Sequence, residues 1–348
     1  MKKYILTTLA LAAVTLGCTK SSFVDVPEAQ TTPITFETYT GKTPTTKATE
    51  KTTLSLAKTT ASAFHVKAFY NSSLYMNKDV KSTCTFKNEA KTEIDKQGWD
   101  YDGTVYWPAA GDVTFYAYGI SQNLTPNSAA NDETSYTYTV PATVSTQDDL
   151  IVAVPVTQAG TSNNTTVSLD FRHLLSRVGF KLTTTKESES LNVTINSITL
   201  NGTFYNAGTV DITTQTTPAI AATTTGDNAT RTSYSLFESG YKYVIPSPGP
   251  TNAKTIFGNT DSKNVTSTDD SNRFMMLIPG GVVTSATVEY ILPNQSSPQR
   301  VTASLTSEIT LAAGKAYEFI INLSTDAIEF TGEVMDWDET HDDYTQNI

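Results

Sequence analysis

The chain has 348 residues and a formal net charge of −11, yet only 17% of its residues are charged, and Thr, Ser and Asn supply much of its polarity. An acidic balance of this kind excludes nucleic acid and anionic lipid surfaces as expected partners. The length allows two ordinary domains, and the abundance of Thr, branched at Cβ, suits strands far better than helices.

The chain opens with Lys2-Lys3 and an apolar run from Tyr4 to Leu16. The run is too short for a stable membrane span and has the form of a secretory signal, residues 1–17. It ends Thr15-Leu16-Gly17-Cys18, which resembles a bacterial lipobox with Thr15 where Leu is usual. In that motif the Cys18 thiol accepts a diacylglyceryl group, and cleavage after small Gly17 frees the Cys18 amine for acylation with a fatty acid such as palmitate. More than one acyl chain, at about 0.8 kcal/mol per buried CH₂, makes the anchor stable. A polar tether, residues 18–32, follows.

Ile34 and Phe36 alternate as in a short half-buried strand, Ile34 to Thr38. From Gly41 to Thr53 no large apolar residue occurs, which reads as an exposed loop open to proteases. Phe64, Val66, Ala68 and Tyr70 then alternate in a second strand. The stretch Trp99 to Gly119 holds two of the chain's three tryptophans and several tyrosines. Pro108 and Gly111 bracket a turn there, and Val113, Phe115 and Ala117 share one face of the strand beyond it. Burial of Trp99 and Trp107 makes this an aromatic β-core; an exposed aromatic platform for sugars is the alternative.

Short strands recur from there: Tyr136 to Val140, Leu150 to Val156, Val167 to Phe171 and Arg177 to Leu182, with a helical turn expected at Leu174-Leu175. The polar run Thr183 to Ser190 is the expected domain break. Behind it lie Leu191 to Leu200, Tyr241 to Ile245, Phe274 to Pro279, Ala286 to Leu292 and Val301 to Leu305, with Thr213 to Thr232 expected as a long surface loop. Gly314 to Ile321 and Ile328 to Trp337 close the pattern, the latter with Ile328, Phe330 and Val334 on one face. Short strands without helical periodicity predict an all-β chain of two tandem sandwiches, residues 33–186 and 187–348.

No pattern of catalytic chemistry stands out. Cys84 is expected to be a small buried residue, His65 a solvent-facing one, and His173 part of a cap or surface network; His341 lies in an acidic tail. Nucleophile elbows, phosphate-cradling glycine loops and paired metal histidines are missing from the sequence. The expectation is therefore a protein that is no enzyme and uses no cofactor or metal.

Trp99…Asp102-Gly103…Tyr106-Trp107-Pro108, then Phe115-Tyr116-Ala117-Tyr118, is similar to the N-terminal domain of the fimbrillin family of pilins and accessory lipoproteins. Phe171-Arg172-His173, Gly314-Lys315…Tyr317 and Val334…Trp337 follow in the family's order. The resemblance implies two transthyretin-like sandwiches, export as an outer-membrane lipoprotein, and passage to the cell surface and fimbrium. It also implies a maturation protease that cuts after a basic residue, matched here by Lys47-Ala48. Because Lys47 stands where Arg is more usual, a Lys-tolerant protease is required. The cut would make Ile34 and Phe36 removable, and a strand from another pilus subunit would fill the gap by β-augmentation. The candidate donor lies beyond Ala327, with Ile328, Phe330 and Val334 filling the pockets. The implied function is a structural or accessory pilus subunit that supports adhesion. The alternative is a non-polymerising surface lipoprotein of the same fold that binds a ligand such as a glycan.

Overall fold

A computed structural model of the chain describes residues 32–40, 53–160, 166–184, 191–214, 218–226, 229–236, 241–245, 254–256, 274–292, 295–323 and 328–336. Among these the architecture is strands in several sheets, with one short helix, Thr53–Lys58, and one 3₁₀ turn, Val144–Thr146.

The first sheet is built around Asp112–Gly119, whose Val113, Phe115 and Ala117 are fully buried, as the alternation predicts. Ser62–Tyr70 pairs antiparallel beside it and leads through a tight turn into Ser73–Ser82. Asn71 and Ser72 both take positive φ there, the geometry that matches the twist of a two-residue hairpin. Trp99–Tyr101 extends that edge. On the other side Ile151–Ala153 joins Thr166–His173, and the opening strand Thr35–Thr40 pairs parallel to the latter, Phe36 opposite Val167 and Thr38 opposite Leu169. The Pro108 to Gly111 turn needs its glycine: Gly111 has φ +82, and a Cβ there would come within 2.8 Å of the Tyr70 ring.

Pairing crosses the break expected at Thr183 to Ser190. Ser176–Thr184 pairs with Met275–Leu277 and runs parallel to Lys315–Leu323, both from the second half. Ser135–Thr139 likewise pairs with Ala207–Asp211. A further sheet is centred on the long strand Leu191–Tyr205, which takes Thr230–Ser235 and Tyr241–Ile245 on one edge and Val282–Ile291 on the other.

Two hydrophobic clusters result. One gathers Ile34, Phe36, Phe64, Trp99, Trp107, Phe115 and Phe171; the other runs from Tyr136 to Ile321. The alternation in Ile151–Ala153 serves both, because Ile151 and Ala153 belong to the first cluster and Val152 to the second. Leu174-Leu175 forms no helical turn. Both residues are fully buried in the link between adjacent strands, because two consecutive apolar side chains entering the core suit a bend as well as a helix. The expected loop from Thr213 to Thr232 contains a strand, Ile220–Ala222, and the start of another.

Candidate functional site: the slot of the opening strand

Thr35–Thr40 alternates between core and solvent. Phe36, Thr38 and Thr40 are buried, Glu37 and Tyr39 are exposed, and Ile34 just ahead of the strand is 1% exposed. The Phe36 ring sits among three others, with centroids 6.3 Å from Phe64, 6.1 Å from Phe115 and 5.9 Å from Tyr101. Trp99 packs edge-on against Phe64 at 5.2 Å, and Trp107 against Phe115 at 5.6 Å. The stretch Trp99 to Gly119 thus forms the wall of the slot that holds the opening strand. Both tryptophans are buried, so neither serves as an exposed sugar platform; among the described residues the large exposed aromatics are Tyr39 and Tyr106.

The backbone of the strand is held from both sides. One edge is the parallel ladder to Thr166–His173. On the other, Ile34 N–H donates to the Val105 carbonyl at 2.9 Å, and Trp107 N–H donates to the Thr32 carbonyl at 3.1 Å. The Tyr101 hydroxyl donates to the Ile34 carbonyl at 2.7 Å. Burial pushes the Tyr101 phenol pKa above its ordinary value, which keeps it a donor at neutral pH. At Thr38 the Gln97 side chain accepts from the N–H at 2.9 Å and donates to the carbonyl at 3.0 Å.

The candidate donor lies in the closing strand, Ile328–Asp336. It pairs antiparallel with Lys315–Leu323, with Ile328 opposite Leu323, Phe330 opposite Ile321 and Val334 opposite Tyr317. Val334 is half-buried against the second cluster. The opening and closing strands therefore stand in different sheets of the same chain. Cys18, Lys47, Ala48 and the tail from Trp337 onward lie outside the described residues.

Other polar residues take structural places. His173 is buried, not on the surface as expected, and its Nδ1 is 2.8 Å from Asp149 Oδ2, with Asp149 fully buried. The sequence hid this pair because Asp149 and His173 stand 24 residues apart and meet only where Ile151–Ala153 pairs with Thr166–His173. His65 lies between Asp79 and Asn77, each at 2.6 Å. Cys84 is half-buried, its thiol donating to the Gly98 carbonyl at 3.4 Å. Lys67 is buried and donates to the carbonyls of Asn131 and Glu133 at 2.9 and 2.6 Å. Among the described residues no group of His, Cys, Asp and Glu is arranged to hold a metal ion. Sequence reasoning also missed Gln97, because a single polar residue beside a Trp carries no pattern.

Comparison with known proteins agrees with the sequence motifs. A family model described as fimbrillin-like matches residues 46–337. A solved structure described as a "putative cell adhesion protein" from Bacteroides uniformis superposes with a TM-score of 0.51 at 18% identity, covering 88% of this chain and 99% of that one. A fimbrial protein from Bacteroides vulgatus gives a TM-score of 0.49 at 17% identity, over 88% of this chain and 99% of its own. Among curated proteins none matches.

Proposed function

The chain belongs to the fimbrillin-like family, and from that premise we propose that it is a subunit of a cell-surface pilus, assembled by exchange of β-strands. The observation that carries this reading is the opening strand. It fills a slot at the edge of the first sheet, with Ile34 and Phe36 in the core, and the chain beyond it runs directly into the Lys-bearing stretch 41–52. A cut after Lys47 separates this strand from the rest of the domain. Its loss uncovers the faces of Phe64, Phe115 and Tyr101 and frees backbone groups that each cost about 1–3 kcal/mol if buried unpaired. A strand from another subunit relieves both costs.

The closing strand matches the slot in sequence. Ile34-Thr35-Phe36 and Ile328-Glu329-Phe330 share the Ile-x-Phe spacing, so Ile328 and Phe330 fall on the positions of Ile34 and Phe36. In this reading the chain comprises two β-sandwich domains, Cys18 carries the lipid that delivers it to the outer membrane, and the processed subunit joins a fimbrium that supports adhesion.

The test is to trim the purified protein with a Lys-cleaving protease and follow its state on SDS gels. SDS-resistant ladders that vanish when residues after Ala327 are deleted support exchange. A protein that stays monomeric after verified loss of Ile34 to Lys47 overturns it and favours a non-polymerising, ligand-binding lipoprotein. Mass spectrometry of the envelope form checks the anchor: an acylated Cys18 is expected, and Cys18→Ser leaves the precursor unprocessed.

A further inference from the structure

The second edge of the opening strand is closed at Thr38 by a side chain. The parallel ladder occupies the edge facing Thr166–His173. Opposite it, the Gln97 carboxamide takes the Thr38 N–H on Oε1 and gives a hydrogen to the Thr38 carbonyl from Nε2. These are the two bonds that a residue of a neighbouring antiparallel strand makes with its hydrogen-bonded partner. Chemistry fixes which way round the amide sits. The Thr38 N–H and the Trp99 Nε1–H, at 3.1 Å, can only donate, and both meet the same Gln97 atom, so that atom is the oxygen. Trp99 in turn is held by Phe64 and is 7% exposed. Gln97 as a residue is solvent-exposed, so it adds nothing to the core, and these bonds are its contribution.

We propose that Gln97 is a clasp that reads the backbone of whatever extended segment occupies this slot. In the uncut chain it holds Thr38. After exchange it holds the peptide at Gly332 of a second copy; this second half rests on the strand-exchange reading above. The register follows from the shared Ile-x-Phe spacing, which places Gly332 where Thr38 lies. The clasp touches an N–H and a carbonyl, so it accepts the change from Thr to Gly. The incoming strand forgoes only the long bond from the Thr38 hydroxyl to Gln97 Oε1, at 3.4 Å. A strand with Pro at this position has no N–H to give and is discriminated against.

Two measurements test it, with Gln97→Leu removing both bonds and Gln97→Glu keeping the acceptor alone. In the full uncut chain, amide exchange at Thr38 should quicken about tenfold in Gln97→Leu, with a smaller change in Gln97→Glu and none at Leu169 on the opposite strand. Unchanged Thr38 exchange overturns the clasp. In protein trimmed of its opening strand, a synthetic peptide of residues 328–336 should bind about tenfold more weakly to Gln97→Leu than to wild type. Replacing Gly332 by Pro in the peptide should cost the wild type more than it costs Gln97→Leu. Equal affinities for wild type and Gln97→Leu overturn the reading of the incoming strand. A trimmed wild-type protein that binds no peptide sinks strand exchange itself, and with it the second half of the proposal, while Thr38 exchange decides the first half independently.

Discussion

Phe36→Ala is the sharpest test of whether the opening strand belongs to the core. Its ring is 5% exposed and touches Phe64, Phe115 and Tyr101. Truncating a buried Phe costs about 3–5 kcal/mol, from lost transfer energy and the cavity left behind. Against a total stability of about 5–15 kcal/mol, that is a large share. Tyr39→Ala is the matched control: it lies on the opposite face of the same strand, 48% exposed, and should change stability by no more than about 0.5 kcal/mol. Urea unfolding followed by tryptophan fluorescence reads the right place, because Trp99 and Trp107 pack against Phe64 and Phe115, the rings that contact Phe36. A loss below about 1 kcal/mol for Phe36→Ala, or equal losses for the two variants, refutes the reasoning, since burial would then not be what holds the strand.

Three further outcomes are expected. Tyr101→Phe should cost about 0.5–1.5 kcal/mol at neutral pH by losing the bond to the Ile34 carbonyl. Because burial raises the Tyr101 pKa, its stabilising share is complete below about pH 10 and is lost as pH rises through the folded-state value. Urea midpoints from pH 8 to 11 should therefore fall less steeply in Tyr101→Phe, and identical slopes would sink the assignment. Gly202→Ala should destabilise by about 1–3 kcal/mol or more, because its Cβ would lie 1.9 Å from the Val282 carbonyl oxygen at a β-bulge; an unchanged thermal midpoint contradicts this. Asp149→Ala should cost about 1.5–3 kcal/mol by removing the carboxylate bonded to buried His173, and a loss near zero in urea unfolding would count against that bond.

Much of the fold is legible in the sequence wherever apolar residues alternate cleanly. Val113, Phe115 and Ala117 announce their strand, and Tyr241–Ile245 is found at its predicted bounds. Ser73–Ser82 was not legible, because only Met76 and Val80 are buried and Lys78 stands between them, its amine reaching the Asp102 carbonyl at 2.8 Å. Sheet membership was less legible still. The polar run at Thr183 to Ser190 is a feature of composition alone, whereas partners are chosen by register and burial. Ser176–Thr184 therefore joins strands far downstream across that run. The slot was half legible: Ile34 and Phe36 show by alternation, whereas the Gln97 contact depends on two segments meeting and leaves no local pattern.

Topology singles out the first strand of this sheet as the one that the proposed strand exchange would remove. Among the described pairings of that sheet, only Thr35–Thr40 is parallel to its neighbour; the others are antiparallel. An antiparallel hairpin strand is tied at both ends to adjacent strands, so removing it severs connections inside the domain. The opening strand has no hairpin partner: its ladder mate, Thr166–His173, is distant in sequence. It also stands at the end of the sheet order, so its departure leaves every other ladder intact. The closing strand has the complementary property, ending both the described chain and the order of its own sheet. It is held to Lys315–Leu323 by antiparallel pairing through nine registered positions, Ile328 to Asp336. In the proposed exchange two ladders therefore compete. Deleting the opening strand is not enough by itself: the slot must pair with residues 328–336 more tightly than Lys315–Leu323 does. Gln97→Leu should weaken the slot and leave the pairing of the closing strand with Lys315–Leu323 unchanged. The ratio of polymer to monomer in that variant thus reports the balance.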